Sequence, residues 1–325
     1  MIKILANDGI DDAGKNILEQ AGFIVDTKKV AQEDLASALQ QYHGILVRSA
    51  TTVRKDLMLA CPSLKLIGRA GVGMDNIDVP FAKDRGIKVI NTPEASSQSV
   101  AELVFAHLFS MSRYLYDANR SMPSVSDKTA FNTLKKQYSK GTELRGKTLG
   151  IIGFGMIGRT VARTALGLGM NILPFKLNAA DVRIEFDFFK TFTEASLMIT
   201  MKCVPFDELL HHSDFITLHV PHSKGAPPVL SKTEFDKMKD GVGIINTSRG
   251  GVVHELDLIE ALNSGKVAFA GLDVFENEPN ARPEILQHPK ISLSPHIGGS
   301  TVEAQKRIGI ELAEKVVDYF KTHPL

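Results

Sequence analysis

TLGIIGFGMIGRTVARTALGLG, Thr148–Gly169, is the stretch whose reading decides the fold. An apolar run leads into a G-x-G-x-x-G turn, and helical spacing follows from Met156 to Leu168 until Gly169 stops it. Strand, glycine turn and helix in that order predict a dinucleotide-binding unit. Gly153 permits the tight turn, Gly155 lets backbone approach a pyrophosphate, and Gly158 allows the helix to lie close to the strand. The helix start, at Met156 and Ile157, then offers unpaired N–H groups to phosphate oxygens. The glycine pattern alone is weak and also fits a purely structural turn; its place between an apolar strand and a helix is what gives it weight.

Outward from this turn, strands and helices alternate in both directions, which predicts α/β layers. Upstream, IKILAN, FIVDTKK, GILVRS, LKLIGRAG and IKVINTP read as strands, and Ala13–Ala21, Asp34–Gln41 and Arg54–Ala60 as helices. SSQSVAELVFAHLFSMSRYLYDANR reads as one long helix. Val100, Leu103, Val104, His107, Leu108 and Met111 share a face, and Phe105 and Phe109 make the rest apolar, so burial between layers or subunits is expected. His107, in its middle, reads as a core histidine rather than a catalytic one. SMPSVSDK reads as a loop. Downstream, NILPF, FITLHV, GVGIINT, VAFAGLDVF and ISLSPH supply strands, and the last helix, Val302–Phe320, should pack back on the first unit. The expected fold is α/β with two doubly wound, Rossmann-like domains. A dinucleotide-binding domain, residues 99–297, is inserted into a discontinuous flavodoxin-like substrate domain, residues 1–98 and 298–325.

The 325-residue length suits two such domains, and 38 basic against 37 acidic residues leave a net charge of +1. That balance argues against nucleic acid or anionic membrane as partner, so any anion site must be local. Cys61 and Cys203 are too few for a disulfide framework, and no signal peptide or membrane span is recognisable, so a soluble, cytoplasmic protein without a metal site is expected.

Three residues after the glycine turn carry reaction chemistry. Arg249, Glu278 and His296 each end or follow a strand, in IINTSRGG, AFAGLDVFENEP and ISLSPHIGGS. A fixed cation, an acid and an imidazole beside a dinucleotide suit hydride transfer at a hydroxyl-bearing carbon next to a carboxylate. Singly, each could be a solvated loop residue; the conjunction raises them. At the end of NILPFK, where an acid would accept bonds from the adenosine ribose, stands Lys176. Lysine could instead pair with a 2′-phosphate, or simply be solvated. NAD is the preferred expectation, since no arginine lies nearby in sequence, with NADP open. Beyond it Val182, Ile184, Phe186 and Phe188 alternate with Arg183, Glu185 and Asp187, and Ile199, Met201 and Cys203 with Thr200 and Lys202. The period of two predicts an antiparallel hairpin within the extra segment Asp181–Val204, flanking TFTEAS.

LVRSAT, GRAGVGMDNID, INTPEASSQSVAEL, GTELRGKTLGIIGFGMIGR, DFITLHVP, INTSRGGVV, AGLDVFENEP and SPHIGGSTVEAQ together resemble the D-isomer-specific 2-hydroxyacid dehydrogenases over almost the whole chain. RSAT, GRAGVGMDN and PHIGGST-x-EAQ are most similar to the phosphoglycerate branch. The resemblance implies that Arg249 binds substrate carboxylate and carbonyl, that His296 is the general acid/base, and that Glu278 raises its pKa. It implies cofactor contacts at His219, Val220, Pro221, Thr247, Asp273 and Gly298 besides Gly153, Gly155, Met156, Ile157, Gly158 and Lys176. Substrate contacts are implied at Arg48, Ser49, Arg69, Gly71, Val72, Gly73 and Asn91, with the two arginines at a phosphate. The activity implied is oxidation of 3-phospho-D-glycerate to 3-phosphohydroxypyruvate, by a homodimer whose domains close over a small phosphorylated hydroxy acid. Glyoxylate or hydroxypyruvate reduction is the alternative, and a dinucleotide-sensing corepressor the non-enzymatic one. Larger members carry C-terminal regulatory domains; the short tail here leads us to expect none. Lys176 and the extra segment depart from the family pattern and bear on cofactor preference.

Overall fold

The computed structural model describes residues 1–178, 181–186, 197–223 and 225–324. It divides into two compact units, Met1–Ser99 with Gly299–Leu325, and Val100–Gly298.

In the first unit β1 (Lys3–Ala6), β2 (Ile24–Asp26), β3 (Gly44–Val47), β4 (Leu66–Arg69) and β5 (Lys88–Asn91) form a parallel sheet ordered β2-β1-β3-β4-β5. This is the flavodoxin-like order. Both faces are covered, which is why β3 throughout, and β1 after Lys3, are apolar rather than alternating. Helices α1 (Asp12–Gln20), α2 (Leu35–Ala38), α3 (Lys55–Ala60) and α4 (Val79–Asp84) connect the strands. Asp11 caps α1 by accepting from the Ala13 N–H at 2.9 Å. The last helix of the chain, α13 (Val302–Thr322), packs on α1, and a Cβ at Gly14 would collide with the Gly309 carbonyl. Two glycines at the crossing let the backbones touch. The helix expected over Asp34–Gln41 is only one α-turn, α2, between two 3-10 turns.

Helix α5 (Ser97–Ser112) starts in the last residues of the first unit and runs on into the second, which continues with α6 (Leu115–Ser121) and α7 (Lys128–Gln137). Its sheet comprises β6 (Thr148–Ile152), β7 (Asn171–Phe175), β10 (Phe215–Leu218), β11 (Val242–Asn246), β12 (Val267–Leu272) and β13 (Ile291–Leu293). All pairings are parallel, in the order β13-β12-β11-β10-β6-β7. The connections are α8 (Met156–Gly167), α9 (Phe206–His212), α10 (Lys232–Lys237), α11 (Glu255–Ser264) and α12 (Pro283–Leu286). From β6 the chain runs outward to β7 and then returns to β10 on the other side of β6. Sheets of this kind bind ligands at that reversal, outside the carboxyl ends of the strands.

Between β7 and α9 lies the antiparallel pair β8 (Val182–Phe186) and β9 (Leu197–Met201), with Val182 opposite Met201 and Ile184 opposite Ile199. Val182, Ile184 and Met201 are buried in one cluster with Val161, Ala162 and Ala165 of α8. The period-two reading therefore holds for the strands; Asp187, Phe188 and TFTEAS lie outside the described residues.

Two sequence expectations fail in this unit. The single long helix breaks at Tyr114, whose φ of 55° ends α5 and whose left-handed backbone starts α6. No glycine or proline marks that break, so periodicity ran through it. Phe109 is 42% exposed in the single chain. Residues read as loop, SMPSVSDK, contain a 3-10 turn and the first residue of α7, which Asp127 caps through the Ala130 N–H at 2.8 Å. Asp127 as N-cap was a legible signal for that helix.

Candidate active site

The glycine turn, the HVP that closes DFITLHVP, Arg249, Glu278 and His296 follow β6, β10, β11, β12 and β13, so the carboxyl ends of one parallel sheet carry them all. Each glycine of the turn has its own physical reason. Gly153 has φ 97°, and a Cβ there would collide with the His219 carbonyl after β10. Gly158 abuts the Gly153 carbonyl. Nothing lies within 4 Å of a Cβ built on Gly155. Packing thus accounts for two of the glycines, while the third leaves open space at the start of α8, where a pyrophosphate would fit. The Thr247 Oγ1, just after β11, is buried without a hydrogen-bond partner among the described residues. A buried hydroxyl left unpaired at a ligand edge fits a site that a bound dinucleotide completes. His219, beside it in the sheet order, bonds Thr217 Oγ1 through Nε2 at 3.0 Å. Burial pushes its imidazole down to about 3, so it is neutral at pH 7.

His296 and Glu278 meet, Nδ1 to Oε2, at 2.7 Å. The other carboxylate oxygen of Glu278 accepts the Phe275 N–H at 2.9 Å, which fixes the acid on its loop. The bond to Glu278 raises the His296 pKa above its ordinary value; burial opposes this, the charges of Glu278 and Asp273 add to it, and Arg249 opposes it. Burial would raise the Glu278 carboxyl, but bonds from His296 and the Phe275 N–H, with the positive charges of His296 and Arg249, hold it below the usual range. With Nδ1 engaged, Nε2 is the nitrogen left for a substrate proton.

His296 has φ 56°, a conformation that side chains other than glycine seldom adopt. Asp273 holds it there. The Asp273 carbonyl accepts the His296 N–H at 2.9 Å, while its carboxylate accepts Ile297 N–H at 2.9 Å and Gly298 N–H at 2.8 Å. Arg249 donates to the Ser248 carbonyl at 2.6 Å. Its turn is stapled by Asn246, which donates to the Arg249 carbonyl at 2.9 Å and accepts from the Ser248 N–H at 3.0 Å. Gly250 would collide with the Phe275 carbonyl if it carried a Cβ, so the loops after β11 and β12 touch. The roles of Asn246 and Gly250 were not read from the sequence: Asn246 acts by stapling its own turn, and Gly250 through Phe275 in the loop after β12.

Lys176 is exposed directly after β7, and the carbonyl of Phe175 just before it accepts the Gly153 N–H at 3.0 Å. It therefore stands at the second strand of the crevice. Among the described residues no cluster of His, Cys, Asp and Glu could hold a metal ion.

In the first unit, Arg48 follows β3 and Arg69 ends the neighbouring β4. The Arg48 and Thr51 N–H groups donate to one oxygen of Asp8 at 2.7 and 3.1 Å. Arg48 lines a cavity of about 260 Å³ with Asp8, Gly9, Ala70, Gln305 and Gly309. Arg69 donates to the Ala70 carbonyl at 2.7 Å, and its guanidinium covers Gly71, where a Cβ would collide with it. Asn91 donates to the Val72 carbonyl at 2.8 Å, steadying the Gly71–Gly73 loop. Ser49 and Val72 are exposed.

Residues 105–298 match the family described as D-isomer specific 2-hydroxyacid dehydrogenase, NAD binding domain. A hydroxypyruvate reductase of Thermotoga maritima is 41% identical over 318 residues, covering 97% of each chain. A D-3-phosphoglycerate dehydrogenase of Bacillus subtilis is 38% identical over all of this chain, which spans 58% of that relative's length. Among solved structures, a glyoxylate reductase from Paecilomyes thermophila superposes with a TM-score of 0.81 at 30% identity, covering 99% of this chain and 96% of that one.

Proposed function

From the premise that this chain belongs to the D-isomer specific 2-hydroxyacid dehydrogenases, we propose that it oxidises 3-phospho-D-glycerate to 3-phosphohydroxypyruvate, the entry to serine biosynthesis. The reaction type rests on the family and on the 2.7 Å contact between His296 and Glu278. The observation that carries the substrate is the pair of arginines on adjacent strand ends, Arg48 and Arg69, in a chain whose net charge is only +1. A phosphorylated substrate needs local cations of that kind. Ser49, Gly71, Val72, Gly73 and Asn91 are proposed as their neighbours in substrate binding.

In the oxidising direction neutral His296 keeps its proton on Nδ1, against Glu278, and takes the C2 hydroxyl proton on Nε2. Arg249 holds the substrate carboxylate and stabilises charge developing on the C2 oxygen. A bound nicotinamide supplies the hydride acceptor. Gly153, Gly155 and Gly158, with the N–H groups of Met156 and Ile157, would hold the pyrophosphate. His219, Val220, Pro221, Thr247, Asp273 and Gly298 are proposed to line the remainder. NAD is the cofactor we propose, and Lys176 is the residue that would favour NADP instead.

Hydroxypyruvate reduction is the second reading, supported by the Thermotoga maritima relative, which this chain matches end to end. Initial rates with 3-phosphohydroxypyruvate, hydroxypyruvate and glyoxylate, each with NADH and NADPH, test both substrate and cofactor. A clear preference for the phosphorylated acid is expected; equal or faster turnover of hydroxypyruvate would move the assignment to the second reading. We also propose a homodimer through the α5–α7 segment, where Phe109, Leu115, Met122 and Phe131 are each more than 40% exposed.

A further inference from the structure

His107 lies in α5 and is only 4% exposed, yet both of its ring nitrogens are bonded. Nδ1 meets Ser292 Oγ at 2.8 Å and Nε2 meets Ser294 Oγ at 3.0 Å. Ser294 in turn donates to Asp273 Oδ1 at 2.6 Å. Hydrogen-bond accounting fixes the direction of the chain. The Ser294 proton goes to the carboxylate, so its oxygen accepts, and His107 Nε2 must carry the hydrogen. In a neutral ring Nδ1 then accepts, and Ser292 donates to it. Burial lowers the His107 pKa, against the pull of the Asp273 charge, which keeps the ring neutral. Every dipole therefore points the same way, from Ser292 through His107 and Ser294 to Asp273.

The space for this ring is built in. A Cβ on Gly271 of β12 would come within 2.7 Å of the His107 Cβ, so β12 carries glycine where the histidine enters. The chain ends on the residue that holds the His296 loop through three backbone N–H groups, those of His296, Ile297 and Gly298.

We propose that His107 is a positioning residue for His296: it fixes Ser294, and through it Asp273, so that the strained His296 loop keeps the imidazole against Glu278. A satisfied core histidine would need only partners for its two nitrogens. Here both partners belong to the segment leading into His296, and the chain terminates at that loop's anchor. This role rests on His296 being the proton-transfer residue, but its first readout needs no substrate.

The test uses the full chain with His107→Leu, His107→Gln and Ser294→Ala, each checked for folding. The His296 ring is titrated by NMR, with Glu278, Asp273 and Arg249 as the charged groups facing it. In His107→Leu and Ser294→Ala the His296 titration is expected to fall toward 6.5, its ordinary value. In the same variants kcat should drop between about ten- and a hundredfold. His107→Gln, whose amide can donate to Ser294 and accept from Ser292, should restore most of both. Folded Leu and Ser294→Ala variants with unaltered His296 titration would overturn the proposal. Should the Leu variant not fold, Ser294→Ala decides alone. A chain inactive on every keto acid would defeat the proposed function and leave the titration result standing.

Discussion

His296 combines a left-handed backbone, a carboxylate partner and a raised pKa, and its substitution should separate chemistry from binding. His296→Ala and Arg249→Ala are each expected to lower kcat by about a hundredfold or more while NADH still binds, as read by fluorescence titration. The pH dependence has a definite sign. Oxidation needs neutral His296, whose folded pKa lies above 6.5, so kcat/KM for oxidation should rise with pH through that raised value. Glu278→Gln removes the main cause of the shift and should move this limb to lower pH; an unmoved limb would sink the pairing. The stability linked to the same raised pKa is fully present below 6.5 and is lost as pH rises through the folded value. His219 works in the opposite sense, with a folded value of about 3 against 6.5. The unfolded chain takes up that proton first, so stability should fall as pH drops below 6.5 toward the folded pKa. Urea unfolding of wild type and His219→Gln at pH 7 and 5 checks this, since the variant should lose less. Arg249, Glu278 and His296 were legible because each sits just past an apolar strand. The His107 chain was not, because its serines are 185 and 187 residues away in sequence.

At the scale of elements, the glycine turn makes its own distinction between folding and binding. Gly155→Ala meets nothing within 4 Å and should leave the melting temperature unchanged while weakening NADH binding. Gly158→Ala meets the Gly153 carbonyl and should cost about 1–3 kcal/mol of stability. Equal effects of the two on stability would contradict the division of labour. The alternation that revealed β8 and β9 survives because one side of that hairpin faces α8 and the other faces water, and a period of two records both. The break at Tyr114 escaped because the same apolar periodicity continues on either side of it. Backbone direction changed there without a residue that announces the change.

For the whole molecule, two doubly wound sheets were implied by alternating strands and helices, but the order of strands within each sheet was not. That order is what brings the glycine turn, Arg249, Glu278 and His296 to the carboxyl ends of neighbouring strands of the second sheet. Assembly is a separate question of surface. Leu115 is 61% exposed, and Leu115→Asp should convert the expected homodimer to monomer in light scattering; a wild-type monomer would remove that proposal. Under the proposed function, substrate choice rests on Arg48 and Arg69 of the first unit. The most direct test is the ratio of kcat/KM for 3-phosphohydroxypyruvate to that for hydroxypyruvate, measured in wild type and in Arg48→Ala. A ratio of at least about tenfold in wild type, largely erased by the substitution, is the expected result. A wild-type ratio near one that Arg48→Ala leaves unchanged would contradict it.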